Sequence, residues 1–160
     1  MNTTASLRIQ PDDLSDGKVI ALLEAHHKEM YLYSPPESIH SLKKSEFFDP
    51  SMRFWSARNE DDVAACGGLK QLSSEHAEIK SMKTASQYLR RGLAEKILLH
   101  IIETAREDGV KRLSLETGSH EAFMPAIRLY EKHGFEECGP FGDYKLDPYS
   151  RFFRRDLLAA

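Results

Sequence analysis

Arg90, Arg91, Gly92, Leu93, Ala94 and Glu95 have the type and spacing to hold an anion. They open a stretch whose apolar positions, Leu93, Ile97, Leu98, Ile101, Ile102 and Ala105, recur as one face of an α-helix, with Gly109 closing it. The first-turn N–H groups of a helix lack intrahelical partners and the helix dipole is positive there. A phosphate or a carboxylate is therefore the natural ligand of such a start. Gly92 and Ala94 let a ligand come close to the backbone, and Arg90, Arg91 and Lys96 add positive charge. The same residues fit an ordinary amphipathic helix with small residues near its start, and on this stretch alone the two readings stand level. His26, His27, Met30 and His76 raise a metal reading. His26 and His27 are adjacent and point to different sides, and no carboxylate-histidine set with ligand spacing accompanies them, so no metal is assigned.

A phosphate site of this kind needs a strand feeding the helix, and the run Ile79 to Thr84 supplies one. Upstream, Leu7-Arg8-Ile9 reads as a first strand, and Val19 to Met30 as a first helix behind the capping residues Asp12, Asp13, Ser15 and Asp16. Pro35-Pro36 interrupts, and Glu37 to Leu42 is expected to start a second short helix. Met52 to Arg58 and Val63 to Leu72 form a hairpin across Asn59-Glu60-Asp61-Asp62. Gly67-Gly68 inside the returning strand implies a bulge or a close backbone approach. Downstream come a strand at Lys111 to Thr117, a helix from Pro125 to His133 stopped by Gly134, and β-prone pieces at Phe135 to Cys138, Tyr144-Lys145 and Arg151 to Leu157. The expected order is β-α-α-β-β-β-α-β-α-β-β, a mixed α/β sheet with helices on both sides. Its crossover sets the helix start at the C-terminal end of the preceding strand.

The chain has 160 residues, enough for one domain over 1–160 with a core of its own. Its formal net charge of −3 arises from 22 basic and 25 acidic side chains mixed along the sequence, which argues against a general nucleic-acid binder. Cys66 and Cys138 form neither a CxxC pair nor a zinc spacing and are read as buried thiols of a reducing compartment. No secretory leader pattern or membrane-length apolar run is visible, so a cytoplasmic protein with no membrane partner is expected.

Three segments together resemble the GNAT (GCN5-related N-acetyltransferase) superfamily. Leu89-Arg90-Arg91-Gly92-Leu93-Ala94 matches its R/Q-x-x-G-x-G/A pyrophosphate loop, and Ala126 to Phe135 is similar to its A-x-x-L-Y-x-x-x-G-F. Ala77-Glu78-Ile79 resembles the strand on which the histone-acetyltransferase branch carries an acidic base, fourteen residues before the first motif glycine, as Glu78 stands before Gly92. Lys80 to Thr84 with Leu115 to Ser119 further resembles a bacterial subfamily of acetyltransferases. Two residues depart from the pattern: Leu89 replaces its Arg or Gln, and Phe123 stands where many relatives have Asn.

The resemblance implies the GNAT fold with a splayed central pair of parallel strands, and acetyl-CoA as co-substrate without a metal. Arg90 to Glu95 are then expected to give backbone N–H groups to the pyrophosphate, with Leu89 at the motif's first position. Met82, Lys83 and Thr84 are expected to pair with the pantetheine arm. Tyr130 becomes the general acid toward the leaving thiolate and part of the cofactor site. Glu78 is the first choice of base and Glu116 the second, with a surface carboxylate or an ion partner of Lys80 or Arg112 as the alternative for either. The implied reaction is direct transfer in a ternary complex to a primary amine, on a small molecule before a protein lysine or N-terminus, by a monomer or homodimer. A non-catalytic acyl-CoA-binding module is the alternative.

Overall fold

The structure, a computed structural model, describes residues 7–157. Seven strands, Arg8–Asp12 (β1), Met52–Asn59 (β2), Asp62–Gln71 (β3), His76–Thr84 (β4), Arg112–Gly118 (β5), Glu136–Cys138 (β6) and Ser150–Asp156 (β7), form one sheet in the spatial order β1-β2-β3-β4-β5-β7-β6. Its helices are Lys18–Met30 (α1), Leu93–Glu107 (α2) and Met124–Lys132 (α3). Every neighbouring pair is antiparallel except β4 and β5, which the crossover helix α2 connects. A crossover is what a parallel pair requires, since a tight turn cannot return the chain in the same direction.

The periodic face read for α2 is the buried one: Leu93, Ile97, Leu98, Ile101, Ile102 and Ala105 all lie in the core. They pack with Trp55, Leu69, Ile79, Leu113, Leu115 and Phe153 of the sheet and with Ile127 and Tyr130 of α3. A second cluster joins Val19 and Leu23 of α1 to Leu14, Leu42, Phe47, Phe54 and Cys66. Each large aliphatic side chain buried this way contributes about 1.5–3 kcal/mol, so α2 is the best-anchored helix of the fold.

Both readings of the glycine pair hold, with the extra residue on the opposite strand. Cys66 faces Lys83 and Gly68 faces Lys80, so Gly67 alone spans Ser81 and Met82 of β4. Ser81 takes a positive φ of 60° to fit. A Cβ on Gly67 would lie 2.6 Å from Met82 Sδ, 2.7 Å from Ile97 Cγ2 and 2.9 Å from Ile101 Cδ1. Only a glycine lets α2 lie this close to the sheet. Gly67→Ala is therefore expected to destabilise the fold by about 1–3 kcal/mol through overpacking. A lowered denaturant midpoint with an unchanged slope is the measurement, and an unshifted midpoint refutes the close-packing account.

Two expected elements differ. The second helix is reduced to single 3₁₀ turns at Pro36–Ser38 and Lys44–Glu46. Its polar groups are engaged elsewhere: the Ser38 hydroxyl donates to Asp147, and the His40 carbonyl accepts from Lys80 Nζ. The helical ladder ends after one turn because Ile39 takes extended backbone, at φ −94° and ψ 118°. Tyr144-Lys145 is not a strand but part of the loop joining β6 to β7, with Tyr144 turned into the sheet's charged centre. Cys66 is buried as expected, whereas Cys138 on the edge strand β6 is only half-buried. No helix among the described residues is long and apolar enough to cross a membrane.

Candidate active site

The sheet opens at its parallel pair. His76, Ala77 and Glu78 pair with Arg112, Leu113 and Ser114, and the recorded register ends there. Beyond it β4 stays bound to β3 as far as Thr84, while β5 stays bound to β7 as far as Gly118. The two strands are thus held by their outer neighbours and diverge between. The backbone edge of Ile79 to Thr84 that faces β5 has no strand to pair with. It borders a cavity of about 470 Å³.

Met82, Lys83, Thr84, Leu89, Ala94 and Tyr130 line this cavity. So do Glu78 and Glu116. The rest of the helix-start motif lies at or behind its mouth. Arg90, Arg91 and Gly92 are exposed, and the Arg91 guanidinium sits 5.3 Å over the Tyr88 ring. Leu93 is a core residue, and Glu95 is held by Lys132 and His133, each at 2.7 Å. Arg90 and Gly92 both take left-handed backbone, at φ 65° and 76°. The Lys96 N–H is bonded back to the Gly92 carbonyl at 3.1 Å. The Leu93, Ala94 and Glu95 N–H groups ahead of it belong to the first helical turn, where donors lack intrahelical partners and an anion is favoured. A Cβ on Gly92 would meet nothing within 4 Å, so φ and not crowding calls for glycine there.

Tyr130 reaches the cavity from α3, its ring edge-on to Phe135 at 5.9 Å. Burial alone pushes its hydroxyl pKa up to about 12. Phe123, at the position where the family motif favours Asn, packs on Gly118, where a Cβ would lie 2.3 Å from the ring, and on Tyr33 at 5.8 Å. This aromatic contact ties the segment after α1 to the segment after β5.

At the apex of the fork lies a charged cluster. Only 5% of the Glu78 side chain and 11% of the Lys80 side chain are exposed, so both charges depend on partners. The Tyr144 hydroxyl donates to Glu78 Oε2 at 2.5 Å, and Lys80 Nζ donates to the same oxygen at 3.3 Å. Lys80 Nζ also donates to the Tyr144 hydroxyl at 3.0 Å and to the His40 carbonyl at 3.3 Å. Burial first, and then the Glu78 charge, raise the Tyr144 pKa far above the usual phenol range. Glu116 differs. It accepts from the Ser150 hydroxyl at 2.7 Å, and burial lifts its pKa to about 7. The Ser150 bond and Lys80 pull it back, while Glu78 and Asp147 add to the rise.

The structure therefore brings Glu78, Glu116, Met82, Lys83, Thr84 and Tyr130 to one cavity. Sequence reasoning missed Tyr144, and it named Lys80 only as an alternative ion partner of the two glutamates. Lys80 had a signal, being two residues from Glu78 on a strand and hence on the same face. Tyr144 had none, since its loop comes 66 residues after Glu78. His26 also lines the cavity; its Nδ1 is buried without a partner, and burial followed by the Lys83 charge lower its pKa to about 4, which keeps the ring neutral. A larger depression of about 820 Å³ on the β1–β2 edge, walled by Asp12, Asp16 and Arg58, holds none of the predicted site residues.

Known proteins agree with this geometry. The acetyltransferase (GNAT) family model matches residues 17–135. The uncharacterized N-acetyltransferase YsnE of Bacillus subtilis (strain 168) is 48% identical over 151 residues, spanning 94% of this chain and 100% of that protein. A candidate acyl-CoA N-acyltransferase from Klebsiella pneumoniae subsp. pneumoniae MGH 78578 superposes with a TM-score of 0.77 at 24% identity, covering 96% of this chain and 99% of the other. A GNAT family acetyltransferase from Elizabethkingia anophelis, solved with acetyl-CoA bound, superposes with a TM-score of 0.64 at 16% identity, covering 94% and 98%. Fold, forked strands and sequence relatives converge: the chain belongs to the GNAT family of acetyltransferases and is an N-acetyltransferase.

Proposed function

We propose that this enzyme binds acetyl-CoA in the fork between β4 and β5 and passes the acetyl group directly to the primary amine of a small molecule. The observation that carries the reading is the unpaired inner edge of β4, which ends beside an anion-binding helix start and below Tyr130. A strand edge with free N–H and C=O groups suits an amide-bearing arm laid along it. The helix start at Arg90 to Glu95 suits the pyrophosphate, with backbone donors doing what the absent side chain at Leu89 does not. Acetyl-CoA, when bound, supplies the activated acetyl thioester; the remaining tasks fall to the chain. Backbone N–H groups at Met82 to Thr84 polarise the acetyl carbonyl. Tyr130, whose raised pKa keeps its proton in place, donates a hydrogen bond to the charge building on the departing sulfur, and the thiolate is then protonated from solvent.

The base assignment rests on availability. Glu78 is consumed by Tyr144 and Lys80, whereas Glu116 titrates near the pH at which a base is most useful. Glu116 is thus the better receiver of the ammonium proton, and Glu78 the anchor of the wall beside it. Calorimetry with coenzyme A and thiol release with acetyl-CoA and a panel of amines test the reading. Saturable binding with acceptor-dependent thiol release is expected. Binding without such release supports the non-catalytic module instead, and no binding removes the proposal.

A further inference from the structure

The acceptor end of the cavity has an asymmetry of charge. The cations reaching it are Lys80 and Lys83, and both are engaged. Lys80 Nζ gives its donors to Glu78, Tyr144 and the His40 carbonyl, and Lys83 Nζ is paired with Glu29 at 3.4 Å. His26 and His40 both have lowered pKa values, from burial first and then from the charges of Lys83 and Lys80 respectively. Neither ring is a cation at neutral pH. The anions are not matched in the same way. Glu116 is hydrogen-bonded to a neutral hydroxyl, Ser150, and opposed in charge only by Lys80, whose donors go to other groups, while Asp147 on the β6–β7 loop is held by the Ser38 hydroxyl at 2.6 Å. Apolar or aromatic side chains, among them Met30, Leu42, Phe47, Phe123, Leu129 and the Tyr144 ring, line much of the same cavity, beside the hydroxyls of Ser41, Ser81 and Thr117.

Resting on the reading above, we infer that the acceptor is a primary amine with an apolar or aromatic body and no carboxylate, its ammonium received by Glu116. An ammonium entering this wall gains a buried anion that is otherwise poorly compensated. An acceptor carboxylate would have to lose its water beside Glu116 and Glu78 with every local cation already taken, a cost of several kcal/mol for a buried unpaired charge. The apolar walls offer a hydrocarbon or ring body a surface of the right kind. One poorly compensated carboxylate at the apex specifies one ammonium, which sets a monoamine above a polyamine.

Matched pairs differing only in the carboxylate isolate this effect. Thiol release with acetyl-CoA is measured for 2-phenylethylamine against phenylalanine, and for tyramine against tyrosine, with spermidine as the polycationic comparison. The expected result is a kcat/KM at least tenfold higher for the decarboxylated member of each pair, and higher for 2-phenylethylamine than for spermidine. In Glu116→Gln the ratio within each pair is expected to shrink at least fivefold, whatever the absolute rates. Equal rates within pairs, a preference for the amino acid, or a preference for spermidine overturns the inference while leaving the acetyltransferase reading intact. Amine binding to the protein saturated with coenzyme A, followed by calorimetry, gives a second readout independent of turnover. Coenzyme A binding followed by tighter binding of phenylalanine, or by no amine binding at all, overturns the acceptor class. Failure of coenzyme A itself to bind overturns the function on which it rests.

Discussion

Replacing Glu116 by glutamine is expected to lower kcat by about 10²-fold or more and, at the same time, to stabilise the fold above pH 7. The loss of rate follows from removing the acceptor of the ammonium proton, help typically worth about 10²–10⁴-fold. The gain in stability follows from the same burial on which the proposed base role of Glu116 rests. Its pKa is about 7 in the fold against an ordinary value of 4.5. Between those values the unfolded chain has released a proton that the folded chain retains, so stability is fully present below about pH 4.5 and falls as the pH rises toward 7. Glutamine keeps a similar shape and can still accept from Ser150, but it has no charge to bury. The difference is on the order of 1–3 kcal/mol above pH 7, or a few degrees in Tm, and closes near pH 4.5. Activity carries the matching signature. The wild-type kcat/KM is expected to rise through about pH 7 as Glu116 ionises, and that limb is expected to vanish in Glu116→Gln. In Glu78→Gln the limb is expected to persist, with a lower rate because Tyr144 and Lys80 lose their shared anchor. A pH–rate profile that keeps its limb in Glu116→Gln and loses it in Glu78→Gln reverses the assignment.

Tyr130→Phe is expected to lower kcat by about 10²-fold with coenzyme A affinity nearly unchanged. The phenol pKa of about 12 means that Tyr130 holds its proton throughout the working range. A coenzyme A thiolate, whose conjugate thiol ionises near pH 8.5, is a weaker base than that phenolate, so the Tyr130 hydroxyl acts by donating a hydrogen bond to the charge building on sulfur, and the released thiolate takes its proton from solvent. The ring itself remains in phenylalanine, so the packing against Phe135 and the core is retained and stability changes by less than about 1 kcal/mol. Single-turnover kinetics separate chemistry from product release. Unchanged single-turnover rates in Tyr130→Phe remove the hydrogen-bond role, and a large drop in Tm marks the residue as structural instead.

Part of this protein is written in its linear order. The buried face of α2, the hairpin of β2 and β3, the helix ending at Gly134 and the constraint at Gly67 are short-range consequences of periodicity and of residues with special backbone freedom. They were legible because neighbours in sequence are neighbours in space within a helix turn or a strand pair. The family motifs extended that reach to Tyr130 and Glu78, whose positions follow from where the fold sets α3 and β4. The short second helix stops at Ile39, whose extended backbone leads to the His40 carbonyl that meets Lys80, a partner 40 residues away that local pattern does not contain. Tyr144 was read as strand for the same reason, since only the folded chain shows that its hydroxyl finishes on Glu78.

The ranking of the two carboxylates was likewise a matter for the tertiary structure. As residue types they are identical, and motif spacing favoured Glu78. What separates them is desolvation and partnership, which depend on groups far away in sequence: Lys80, Tyr144 and the His40 carbonyl around Glu78, and Ser150 beside Glu116. Sequence determined the strands and the three long helices and carried Tyr130 and Glu78 to the fork. Packing decided how each carboxylate is buried and partnered, because burial and charge pairing act through space and not along the chain.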